Sequence, residues 1–182
     1  MRMLRPAPLL AMAALALAAL AMSGCILTSG QFVATFELPS PLDVASGTAF
    51  TSVDVDLNTV SDYKDHKDEL KRVEDLALIG DFTNNSTSGL TLDAWIVPSA
   101  QLNLTSSQVQ ANGFHLWGPL SVAGHSTVNV DWDRSAGLFT NRQALVDEVK
   151  GDGHFALYLI ANGAVNCRVT NGNVIVVVGA AQ

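Results

Sequence analysis

The chain has 182 residues, 48% of them hydrophobic, and carries ten basic against 17 acidic residues for a net charge of −7. That acidic balance excludes nucleic acid as a partner, because phosphate binding needs a basic surface that displaces counterions, and it gives no attraction to anionic lipid. There is no second composition class, long linker or repeat, so the roughly 150 residues beyond the leader read as one domain, long enough to bury a core without staples.

In chain order the leader comes first. Arg2 and Arg5 form a basic start, Leu9 to Met22 an apolar run, and Ser23 and Gly24 a small-residue exit before Cys25. This is the layout of a secretory signal, too short for a retained membrane span. The stretch "AMSGC" resembles the lipobox of bacterial lipoproteins, with small residues at the two positions before an obligatory cysteine; Met22 stands where leucine is commoner. The resemblance implies that residues 1–24 are cleaved and that the Cys25 thiol takes a diacylglyceryl group, making Cys25 the lipid-bearing, palmitate-type N-terminus. The alternative is an ordinary cleavable signal before a chance cysteine. Each buried methylene contributes about 0.8 kcal/mol, so several acyl chains hold a protein on a membrane without spanning it. Ile26, where Asp would retain such a protein at the inner membrane, implies the periplasmic face of the outer membrane in a double-membraned host. Loss of the leader removes two basic residues and no acidic one, leaving eight against 17 and a net charge of −9. Residues 25–30 are then the lipidated N-terminus with a short tether, and 31–182 a single β-sandwich domain.

Most of the domain reads as strands. "QFVATFEL" (31–38) stops at Pro39 and Pro41, and "AFTSVDVDLN" (49–58) alternates with its acidic face toward water. Residues 73–84, 90–98, 115–122, 126–132, 154–162 and 173–180 follow. Turn signals at Asn84-Asn85-Ser86, Ala123-Gly124 and Asn162-Gly163 separate several of them. "VTNGNV" (169–174) predicts a hairpin at Asn171-Gly172. Residues 63–73 and 140–150 have helical spacing, the second with Thr140 as its cap and Gly151 as its stop, and 104–111 suggests a third helical turn. Seven to nine short strands with helices only as connections predict a mainly β fold: an antiparallel two-sheet immunoglobulin-like sandwich with two or three short connecting helices. "GPLSVAGHSTVNVDW" (118–132) resembles the strand, turn and strand of immunoglobulin-like and water-stress (LEA-2-like) sandwich domains, which implies the fold and nothing of function.

Signatures of catalysis are missing from the chain: there is no Gly-x-Ser-x-Gly elbow, phosphate loop, His-Glu-x-x-His or Cys-x-x-Cys. His66, His115, His125 and His154 lie far apart, without short metal-ligand spacing. No catalytic residue, metal or cofactor is therefore expected, and the chain reads as a non-enzyme. The sharpest metal reading places Asp54, Asp56, Asn58, Asp62 and Asp65 at positions 1, 3, 5, 9 and 12 of a calcium loop. It fails at Thr59, where the loop needs glycine, at Asp65, which is shorter than the bidentate Glu, and upstream, where a strand pattern replaces the helix. The segment "SDYKDHKDELKR" (61–72) holds Lys64, Lys67, Lys71 and Arg72, half of the basic residues left after cleavage. It reads as an amphipathic helix with Tyr63, His66, Leu70 and Val73 in one stripe, and Lys64, Lys67 and Lys71 are its partner-binding candidates. Trp95, Trp117 and Trp132 could form an aromatic platform, but their neighbours are core-like. Cys167, without a partner if Cys25 is lipidated, reads as a buried small apolar residue.

The expected function is that of a membrane-anchored envelope lipoprotein, a non-catalytic binding or structural module whose partners are the membrane through its lipid and another envelope protein. The alternatives are a carrier of a small ligand or lipid with a cavity between its sheets and, third, an envelope enzyme with a polar cluster around His115 or His154.

Overall fold

Alternation lays this chain out. In β3 (Phe50–Asp56) Val53 and Val55 are buried while Asp54 between them is exposed, so the strand has one dry and one wet face. The computed structural model describes residues 29–44, 50–162 and 166–181; the leader, Cys25 and residues 26–28 lie outside the described residues. The other strands are β1 (Ser29–Glu37), β2 (Leu42–Val44), β4 (Leu70–Asn84), β5 (Leu90–Pro98), β6 (Phe114–Val122), β7 (Ser126–Val130), β8 (His154–Ala161) and β9 (Cys167–Ala181). Among the described residues four short helices join them: α1 (Ser61–His66), α2 (Ser106–Asn112), α3 (Trp132–Leu138) and α4 (Arg142–Lys150), with 3-10 turns at Leu57–Thr59 and Lys67–Glu69.

The strands form two antiparallel sheets. One has the order β1-β9-β4-β7, with β2 pairing the start of β9; the other has the order β3-β8-β5-β6. This is the two-sheet sandwich that alternation implied, with four helices in place of two or three. Its last long strand lies inside a sheet beside the first, the double Greek-key order of a jelly roll. The inward faces of both sheets meet in one apolar cluster that includes Leu76, Phe82 and Val176 from the first sheet and Val55, Leu92 and Phe155 from the second, all 0% exposed. A smaller cluster lies on the outer face of the second sheet, where Val109 of α2 covers Val97, Ala156 and Tyr158.

Three sequence expectations are corrected. Asn171-Gly172 does not turn a hairpin: β9 runs straight through it, and the pair forms a bulge opposite Gly80, with Ile79 facing Asn173 and Asp81 facing Thr170. Asn171 takes the left-handed conformation (φ 53°) that a bulge needs as much as a turn does. The kink is where the edge partner of β9 changes from β2 to β1, and Leu38 N–H donates to Gly172 O at 2.9 Å there. Second, the strand expected through Trp132 ends at Val130, because Asp131 caps α3 by accepting from Arg134 N–H at 2.9 Å. Third, the helix expected over 63–73 closes at His66, and β4 begins at Leu70. Apolar pairing across β9, from Leu70 opposite Ala180 to Val73 opposite Val178, outweighs the helical spacing of the charges.

Helix α3 also closes a sheet edge. Strand β7 pairs with β4 only from Gly80 onward, which leaves the N–H of Leu78 open. The Ser135 hydroxyl, fully buried, accepts from it at 2.8 Å and from Trp117 Nε1 at 3.3 Å.

Candidate functional site

The charged segment 61–72 is pinned from beneath. Tyr63 of α1 is fully buried and donates its hydroxyl to Val149 O at 2.7 Å, and burial raises its pKa above the usual phenol value. Gly153, at φ +72°, leaves room for that ring. His66 packs on Phe32 of β1 with ring centroids 4.9 Å apart, and its Nδ1 lies 2.9 Å from the Asp62 carbonyl. Lys64 and Lys67 are exposed; Lys67 Nζ donates to Asn58 Oδ1 at 3.0 Å, and the side chain of Lys71 lies outside the described residues. Arg72, on β4, pairs with Glu74 two residues on.

The five calcium-loop candidates are split among separate tasks. Asp56 caps the 3-10 turn, accepting from Asn58 N–H at 2.9 Å and Asn58 Nδ2 at 2.8 Å, and those bonds hold its carboxyl below the usual range. Asp54 accepts from His154 Nε2 at 2.7 Å, while Asp62 and Asp65 lie exposed on α1. Among the described residues no group of three or more His, Cys, Asp or Glu side chains converges as a metal site. The tryptophans are likewise separate. Trp117 is buried against Phe82 at 5.7 Å, Trp132 donates Nε1 to Asp75 at 2.8 Å, and Trp95 lies on the outer face of the second sheet. Cys167 is free and buried, and desolvation pushes its thiol up to about 11.

The most organised polar group is built around His115, with partners that the sequence did not mark. His115 of β6 has Nε2 at 2.9 Å from Asp93 Oδ1 of β5, and Nδ1 at 3.1 Å from Thr140 Oγ1. A carboxylate accepts only, so Nε2 carries the proton and the Nδ1 lone pair faces the threonine hydroxyl. Trp95 leans against the imidazole, its ring centroid 5.1 Å away. The backbone is shaped around this contact. The register between β5 and β6 shifts at Leu92/Ala94 and again at Ala94/Trp95, and in the gap between the paired residues Asp93 stands beside Gly118. Gly118 has φ +114°, and a Cβ there would stand 2.7 Å from Asp93 Oδ1, so the glycine makes the space that the carboxylate uses.

Thr140 is held from the other side. The segment after α3 runs along the open edge of β6, with Phe139 bridging Trp117 and Thr140 N–H donating to Leu116 O at 2.9 Å. The cap of α4 is Asn141, which accepts from Ala144 N–H at 3.2 Å, and this leaves Thr140 free of the capping role its sequence position suggested. Asn141 and Phe114, neighbours of Thr140 and His115 in sequence, line an open depression of about 510 Å³ together with Pro98, Ala144, Asp147 and Glu148. Burial, with Asp152 and Asp147 nearby, raises the Glu148 carboxyl.

No family model and no curated protein matches the chain. Solved structures similar to it include a recombinantly expressed latent aurone synthase (polyphenol oxidase), at 14% identity and a TM-score of 0.44, covering 78% of this chain and 26% of that one. A chain of Desmodium yellow mottle tymovirus is similar at 12% identity and a TM-score of 0.36, covering 85% of this chain and 88% of the other. Only about a quarter of the polyphenol oxidase is spanned, and neither likeness bears on what this chain does.

Proposed function

We propose that the chain is a lipoprotein anchored through Cys25 at the periplasmic face of an outer membrane, where its sandwich binds another envelope component. The observation that carries this reading is "AMSGC" behind a basic and apolar leader, with only residues 26–28 between the cysteine and β1. So short a tether, at most about 3.5 Å per residue, would keep the domain against the bilayer surface.

A binding role draws support from the outer face of the first sheet. Val33 of β1 is 49% exposed and faces the partly exposed Val177 of β9, while Thr35 faces Ile175, so apolar β-branched side chains continue across this edge of the sheet. The carrier alternative draws less support, because among the described residues the inward faces of the two sheets meet in one apolar cluster.

Fractionation of cells carrying Cys25→Ala tests the anchor: release from the membrane pellet is expected, and unchanged membrane association refutes lipidation. Crosslinking and pull-down from the native envelope tests the module. An envelope protein captured by the wild type and lost with Val33→Asp supports this face, whereas capture lost only on reversing Lys64, Lys67 and Lys71 would move the contact to segment 61–72.

A further inference from the structure

We propose that Thr140, His115 and Asp93 form a nucleophilic relay for acyl transfer, with Thr140 as nucleophile, His115 as general base and Asp93 as its positioning residue. This goes beyond the binding role and would add covalent chemistry to the domain. The geometry is that of a hydroxyl activated by an imidazole that a carboxylate orients: 3.1 Å from Oγ1 to Nδ1 and 2.9 Å from Nε2 to Oδ1. Three separate chain segments supply the three groups, so local sequence does not force them together. Two register shifts and a positive-φ glycine, each unfavourable for plain sheet pairing, are what give Asp93 its place beside His115.

The threonine hydrogen has a second acceptor, the His115 carbonyl, also at 3.1 Å. A hydroxyl that merely ties the segment to β6 would favour the carbonyl; a nucleophile must use Nδ1, and the experiment below separates the two. Thr140 is exposed and sits just before the nine-residue helix α4, whose first-turn amides at Arg142 and Gln143 have no intrahelical carbonyl to bond. Those amides supply donors for an oxyanion. The substrate class is an ester. Thr140 Oγ1 adds to the carbonyl carbon as its proton passes to His115 Nδ1. The C–O bond to the alcohol then breaks, the alcohol leaves with that proton, and water hydrolyses the acyl-threonine to release a carboxylic acid.

The test is covalent labelling of the purified full chain with a fluorophosphonate, which traps the first step: an Oγ1–P bond forms, the P–F bond breaks and fluoride leaves. Tandem mass spectrometry is expected to find the adduct on Thr140, retained in Thr140→Ser and absent in Thr140→Val. His115→Gln should slow labelling by at least about 100-fold, and Asp93→Asn should slow it strongly while near-ultraviolet circular dichroism stays that of the wild type. A folded wild-type chain without an adduct on Thr140, or labelling of Thr140 that His115→Gln leaves unchanged, overturns the proposal.

Discussion

Ser135→Ala removes one oxygen and tests how the open edge of β4 is closed. The hydroxyl is fully buried and accepts two N–H groups, Leu78 N–H at 2.8 Å and Trp117 Nε1–H at 3.3 Å. Alanine fits the same space in α3 and is the better helix former, so neither steric overlap nor propensity opposes the change. The cost comes from two donors left dry: about 1–3 kcal/mol for a buried group without a partner. Leu78 N–H, with the shorter bond, should contribute most of it, and the longer Trp117 bond less. A destabilisation of about 2–4 kcal/mol is therefore expected, which for a domain of this size lowers Tm by on the order of 10 °C. Urea unfolding followed by tryptophan fluorescence measures it, with an unchanged m-value as the check that the unfolded state is the same. A loss below about 0.5 kcal/mol, the range of ordinary surface substitutions, would refute the reasoning and mean that water or a shift of α3 reaches Leu78.

Gly153→Ala puts a Cβ against the Tyr63 hydroxyl at a left-handed φ of +72°; together strain and overpacking should cost on the order of 3 kcal/mol in thermal or urea unfolding, and a stability equal to wild type would show that Tyr63 is not fixed. Cys167, buried with its thiol raised to about 11, should react with a thiol reagent at pH 8 only as fast as the chain unfolds; labelling of the native chain on the time scale of a free thiol would contradict its burial. Asp75 is raised by burial, but bonds from Leu76 N–H, Trp132 Nε1 and Arg142 outweigh that and hold its carboxyl below the usual value. A lowered folded pKa gives stability that is complete above the unfolded value near ~3.9 and lost as pH falls through the folded one. Asp75→Asn should therefore flatten the loss of stability below about pH 4 in acid titrations; an unchanged slope would show that Asp75 does not titrate with folding.

Legibility in the sequence followed the range of the physics. Where a face is decided by neighbours two residues apart, as in β3 with Val53 and Val55 inward and Asp54 outward, the pattern alone placed the strand. Asn171-Gly172 was legible as a site of positive φ but not as a bulge or a turn, because that choice is made by Gly80 on another strand. The segment 61–72 failed for the same kind of reason. Its charges are spaced for a helix, yet Leu70 and Val73 gain more from pairing with Ala180 and Val178 than the last helical turn could return. The helix at 132–138 was signalled by Asp131, a good cap, and hidden by the alternation of the preceding residues.

The site lies further from sequence than any of these. His115 could be singled out by residue type, but Asp93 and Thr140 are ordinary residues 22 and 25 positions away, and neither spacing marks a motif. What joins them is irregularity: the shifted register of β5 and β6, the open backbone of Gly118, and a segment that fills the β6 edge instead of capping a helix. Had the register of Leu92 with Leu120 continued unshifted, Asp93 would face Pro119 and Trp95 would face Trp117; the two shifts are what bring Trp95 opposite His115 and set Asp93 beside Gly118. Gly118→Ala is thus the substitution that tests whether this local backbone builds the site. Its Cβ would meet Asp93 Oδ1 and Leu92 O at 2.7 Å at a φ of +114° that strains any side chain, so both the carboxylate and the local β5 backbone must shift, and the carboxylate loses its place beside the imidazole. In nuclear magnetic resonance the His115 Nε2–H proton, protected by the carboxylate in the wild type, should then exchange too fast to observe while the amide spectrum of the sandwich persists. A protected Nε2–H in a folded Gly118→Ala chain would show that the bulge is an accident of packing and not what builds the pair.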